Sequence, residues 1–152
     1  MVATTRARIE DVAYDLLEVV THVCLATPRG RRRATELKEV EFLTLAILHE
    51  RGTAIVGDIQ RMLGILPAQM SRIIRSLENR PEPLIACRIN PRDKRKIDVC
   101  LTESGSRALL DYQAVRVHRI VELLQDLPDE DQQDLLKLLE KLRSRLELGA
   151  TS

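Results

Sequence analysis

Residues 93–105 read Asp93-Lys94-Arg95-Lys96-Ile97-Asp98-Val99-Cys100-Leu101-Thr102-Glu103-Ser104-Gly105. Three kinds of local structure follow one another here. Asp93 to Lys96 is a cationic polar turn. Ile97, Val99 and Leu101 alternate with Asp98 and Cys100, the period of a strand with one buried face. Thr102 then offers a hydroxyl N-cap to a long helix from about Glu103 to Leu127. Upstream, Leu84-Ile85-Ala86-Cys87-Arg88 is a matching strand candidate, and the polar tip 89–96 with Asn90 and Pro91 joins the two. The stretch predicts a hairpin with a charged tip, followed by a helix.

Working back from the hairpin, Pro81 and Pro83 stop a helix that begins at Pro67, a residue suited to the first helical position, and runs to about Asn79. Gly64 supplies a tight turn before it. A brief helix covers about Val56 to Leu63, and Thr53-Ala54-Ile55 is a short extended piece. A longer helix runs from about Thr35 to Arg51 with Leu37, Val40, Leu43, Ile47 and Leu48 on its buried face, and Gly52 ends it. The outermost elements are helical too. Ile9, Val12, Ala13, Leu16, Val20 and Val23 recur at three- and four-residue steps over 8–26. Leu17, Val19 and Cys24 add a second apolar strip, so this helix needs two partners. Asp129 with Gln132 resembles a capping box opening a last helix rich in leucine. Between the first two helices, Thr27-Pro28-Arg29-Gly30-Arg31-Arg32-Arg33 is a breaker followed by an arginine run, read either as a solvated loop or as a phosphate contact.

Composition narrows the function. The chain has 152 residues, of which 44% are hydrophobic, enough for one folded domain and too apolar for a disordered chain. Its net charge is only +1, yet residues 51–100 hold ten basic residues against five acidic ones. Their balance of +5 falls on the short helix, turn, helix and hairpin. A basic module of this pattern fits a reader of duplex DNA, whose Lys and Arg displace counterions from phosphates. Tyr14, Phe42 and Tyr112 are the only aromatic residues, which argues against stacking single-stranded bases. Cys24, Cys87 and Cys100 form no CxxC pair, so neither a zinc site of ordinary spacing nor a disulfide framework is expected. No signal peptide or membrane span is read, and a cytoplasmic location is the default expectation.

The hairpin and its flanks resemble the wing signature of the MarR family of bacterial transcription regulators: Asp-x-Arg, three residues, Val or Ile, one residue, Leu-Thr, two residues, Gly. Asp93, Arg95, Val99, Leu101, Thr102 and Gly105 occupy those positions. The order of elements matches over the whole chain. The resemblance implies a mainly α fold with a small β-hairpin wing, a winged helix-turn-helix with flanking dimerisation helices. It implies a single domain over 1–152, with a DNA-binding lobe at about 35–101 and a helical dimerisation region at about 5–34 and 102–148. It further implies that Arg95 at the wing tip enters a minor groove, with Arg92, Lys94 and Lys96 on the backbone. Asp93 orients a neighbouring arginine, and Thr102 and Gly105 belong to the wing's structure. On the recognition helix, Pro67, Ala68, Gln69, Ser71, Arg72 and Arg75 face outward and Met70, Ile73, Ile74 and Leu77 inward. Gln69 is a candidate for adenine or a backbone oxygen. Arg72 and Arg75 are candidates for guanine or for phosphate. The chain departs from the family in two places: Leu66 stands where a Ser or Thr often precedes the recognition helix, and Asn79-Arg80-Pro81-Glu82-Pro83 follows it where a glycine is common.

The first, fifth and sixth helices carry more apolar residues than one domain face needs. Leu16, Val20, Val117, Ile120, Leu135, Leu139 and Leu142 are the candidates for a two-fold interface. Relatives in the family release DNA on binding a small molecule or on thiol oxidation, so an effector is a candidate partner and Cys24 a candidate redox residue, with an inert thiol as the alternative. A diagonal register of Cys87 and Cys100 on the wing strands is compatible with a disulfide without favouring one. A metal site from His22, Cys24 and His118 lacks helical i, i+4 pairing, and no metal or cofactor is expected. Two other classes compete. A protein-interaction module on this fold, such as an antirepressor, predicts a recognition surface without cations. An enzyme predicts a catalytic triad order, paired carboxylates or a phosphate loop, none of which is present.

Overall fold

The computed structural model describes residues 2–25 and 37–149. The arginine run Arg29–Arg33 and the expected helix start at Thr35 lie outside them. The elements are α1 (Val2–Leu25), α2 (Glu39–Arg51), β1 (Thr53–Ile55), α3 (Val56–Leu63), α4 (Pro67–Glu78), β2 (Ile85–Ile89), β3 (Ile97–Leu101), α5 (Glu103–Leu124) and α6 (Asp129–Gly149). The fold is mainly α, with a small antiparallel sheet in the order β1-β3-β2.

Two compact units divide the chain, Arg29–Val115 on one hand and Met1–Pro28 with Arg116–Ser152 on the other. The first holds the core: Leu37, Leu45, Leu48, Ala54, Ile59, Met70, Ile73, Leu77, Leu84, Ile85, Val99 and Leu109 are buried together. Val99 is its pivot in the sheet, facing Ala54 of β1 on one side and Cys87 of β2 on the other. The extended piece 53–55 is therefore a third strand, completing the hairpin's inner edge.

Several boundaries move. Leu37 and Lys38 precede α2 rather than belonging to it, and Lys38 is its N-cap. The buried residues of α2 are Glu41, Thr44, Leu45 and Leu48, while Leu43 is 39% exposed. This helix is apolar on most sides, so periodicity alone does not choose the face. The choice follows from the polar side chains: Glu41 is satisfied by hydrogen bonds from other elements, and Thr44 donates to the Val40 carbonyl at 2.7 Å. Strand β2 starts one residue later than expected. Helix α5 ends at Leu124, where Leu127 N–H turns back to the Leu124 carbonyl at 3.1 Å. Asp129 is the first residue of α6 rather than its cap. The Gln132 amide reaches back to the Leu127 carbonyl at 2.9 Å instead of closing a capping box.

The second unit holds α1, the distal part of α5 and α6. Many of its apolar side chains are exposed in the single chain, including Leu16, Val20, Val117, Ile120, Leu139 and Leu142, and Leu135 is half-buried. Among the described residues, no helix is long and apolar enough to cross a membrane.

Candidate nucleic-acid interface

The helix-turn-helix is built by one glycine and one proline. Gly64 closes α3 in the left-handed conformation (φ 64°), which a residue with a Cβ adopts only with strain. Pro67 then opens α4 at its first position, with Leu66 as an N-cap that makes no side-chain hydrogen bond. Met70, Ile73 and Leu77 are buried and anchor α4 on the core, and Ile74 is half-buried. Their spacing turns the opposite face outward, and Gln69, Ser71, Arg72 and Arg75 on it are exposed. Arg75 Nε donates to the Ser71 carbonyl at 3.4 Å, which lays its guanidinium along the helix surface.

The far end of α4 is fixed by a group absent from the sequence reading. Glu41 is only 2% exposed. Its Oε2 accepts from Lys38 N–H at 2.8 Å, serving as the N3 half of a capping interaction for α2. Its Oε1 accepts from Ser76 Oγ at 2.5 Å, and Arg80 Nη2 donates to Oε2 at 3.1 Å. One carboxylate thus joins the start of α2 to the end of α4. The available signal was a glutamate three residues after Lys38. Its partners, 35 and 39 positions away in sequence, carry no local pattern.

The wing tip is preorganised by Asn90. Its Oδ1 accepts from the N–H groups of Arg92 (2.9 Å) and Asp93 (3.0 Å), and its Nδ2 donates to Asp98 Oδ1 at 2.8 Å. Asn before Pro with Asp three positions on is a turn signal in its own right, and it marks this tip as an Asx turn rather than a plain polar loop. Asp93 Oδ1 accepts from Arg95 N–H at 3.1 Å and from Arg95 Nε at 3.4 Å. Asp93 is half-buried, while the Arg95 side chain is 93% exposed. Arg92, Lys94 and Lys96 are exposed as well.

The base of the wing is locked to α5. Thr102 Oγ1 donates to the Pro83 carbonyl at 2.5 Å and accepts from Gly105 N–H at 3.0 Å, so it caps α5 and holds the entry to β2. The two strand cysteines do not form a bridge. Cys87 pairs with Val99 and Cys100 with Ala86, which puts the thiols on opposite faces of the sheet. Burial first, and then the Glu78 carboxylate, push the Cys87 thiol above its ordinary pKa. Cys24 is exposed on α1 and forms no disulfide. His118 lies 3.5 Å from Glu122, and among the described residues no group of three His, Cys, Asp or Glu side chains could hold a metal ion.

A core-anchored helix after a glycine turn, followed by a hairpin with a cationic tip, defines a winged helix-turn-helix protein. The MarR family model matches residues 37–97, which span this unit from the entry to α2 to the start of β3. The transcriptional repressor NicR of Pseudomonas putida is 30% identical over 125 residues, covering 77% of each chain. Among solved structures, the transcriptional regulator Tm0710 of Thermotoga maritima superposes with a TM-score of 0.71 at 18% identity, over 94% of this chain and 99% of its own. BpsR of Bordetella bronchiseptica, whose DNA binding is regulated by 6-hydroxynicotinic acid, gives a TM-score of 0.60 at 21% identity, over 88% and 98%. The chain belongs to the MarR family of transcriptional regulators.

Proposed function

We propose that the protein is a homodimeric repressor that binds a pseudo-palindromic operator in double-stranded DNA. In this reading the lobe at about 35–101 contacts the duplex, and residues 5–34 and 102–148 hold the dimer. The observation that carries the reading is the placement of cations. Arg72 and Arg75 on the outer face of α4, and Arg92, Lys94, Arg95 and Lys96 on the wing, are all exposed on elements that project from one core. Gln69 and Ser71 stand beside the helix arginines as further groups able to meet bases or phosphates. Asp93 and Asn90 shape the wing tip, and Thr102 and Gly105 fix its base.

The exposed apolar residues of α1, α5 and α6 support the dimer, since a single chain leaves them in water. A two-fold dimer presents its recognition helices about 34 Å apart, one turn of DNA. Repression is supported by the likeness to NicR. Control by a small molecule is supported by BpsR, whose effector is an aromatic carboxylate. Oxidation of exposed Cys24 is the other candidate signal. The test is selection of duplexes from a random pool by the full chain. The reading expects an enriched inverted repeat. A pool that stays random would favour a protein-interaction module instead.

A further inference from the structure

We propose that Leu66 reads thymine, making the operator's specificity depend on C5-methyl groups opposite the leading end of α4. This rests on the duplex-binding reading. Leu66 is 72% exposed, although it occupies the N-cap of α4. A hydroxyl or carboxamide there stabilises a helix by about 1 kcal/mol, and leucine contributes none of it. Pro67 follows with no backbone N–H, and Ala68 follows exposed. The first three side chains of the recognition helix therefore carry no hydrogen-bonding atom, and the first helical residue offers no amide to a phosphate.

In a helix-turn-helix the leading residues of the second helix are those that meet base edges. The major-groove feature that an apolar side chain distinguishes is the thymine methyl, since the other edge groups are hydrogen-bond donors and acceptors. Gln69, Arg72 and Arg75 continue the same outward face. Polar and cationic side chains thus lie further along the helix, and Leu66 is left at the end where no side chain offers a hydrogen bond.

The experiment uses the full chain and a duplex selected from a random pool, in which each thymine is replaced in turn by deoxyuridine. This removes the methyl and preserves base pairing and every hydrogen-bonding edge. Wild type is expected to bind about fourfold more weakly when the methyl at one position of a half-site is lost. Leu66→Ser, which supplies an N-cap hydroxyl and keeps the helix, is expected to show no penalty at that position. Wild type that is indifferent to uracil at every position overturns the proposal, as does an undiminished penalty in Leu66→Ser. A selection that enriches no duplex overturns the duplex-binding reading and this inference with it.

Discussion

Gly105 lies directly against the Leu84 carbonyl, and a Cβ built on Gly105 collides with that backbone oxygen. The contact joins the first turn of α5 to the entry of the wing. Thr102 reinforces it, because its N–H donates to the same Leu84 oxygen at 3.2 Å. Backbone cannot yield as a flexible side chain does. Gly105→Ala is therefore expected to destabilise the fold by about 3 kcal/mol, the upper end for overpacking. Urea denaturation measures it, and a change under about 0.5 kcal/mol, the scale of ordinary surface substitutions, would contradict this account of the glycine.

Glu41 predicts a graded series. Glu41→Ala breaks a buried, charge-paired carboxylate and is expected to cost about 3–5 kcal/mol. Glu41→Gln keeps an oxygen for the Lys38 N–H and is expected to cost less. Thermal unfolding of the two variants checks the order. Equal losses would mean that the carboxylate's charge beside Arg80 carries the whole effect and the oxygen kept for the Lys38 N–H contributes nothing.

The Cys87 thiol has a sign that can be worked out. Its folded pKa is raised, so the native state favours the protonated thiol. The stability this gives is fully present below the ordinary thiol pKa and is lost as the pH rises through the higher folded value. Denaturation across the range above about pH 8.5 should show this decline in wild type and less of it in Cys87→Ala. Alkylation of Cys87 should be slower in the folded chain than in urea, and faster in Glu78→Gln. Equal rates in folded and unfolded chains would refute the shielding by burial.

The dimer makes its own prediction. Leu139 and Leu142 are 45% and 49% exposed on α6. Changing both to Lys should give a monomer in sedimentation, with the lobe still folded and operator binding lost. A dimer that survives the double change would place the interface elsewhere.

Much of this was legible because it is local. The wing signature, the Gly64 turn, Pro67 at the first turn and the inward set Met70, Ile73 and Leu77 all follow from short-range patterns. The face of α2 was not, since Leu43 and Leu45 are equally apolar and Glu41 is buried only through partners 35 and 39 residues away. Asn90 was within reach as an Asx turn, but its second bond, to Asp98, needs the strand register. The exposure of Leu66 also needed the fold, because an apolar residue before a helix packs inward as readily as it faces out.

The most direct test of duplex binding is the salt dependence of affinity for the selected operator, compared between wild type and Arg95→Ala. Phosphate contacts by the exposed cations predict a steep fall of affinity with salt. Arg95→Ala should bind more weakly, with the logarithmic slope shallower by about two, about one for the wing of each protomer. A wild-type affinity nearly independent of salt, with Arg95→Ala unchanged, would contradict the assignment of α4 and the wing as a DNA-binding surface.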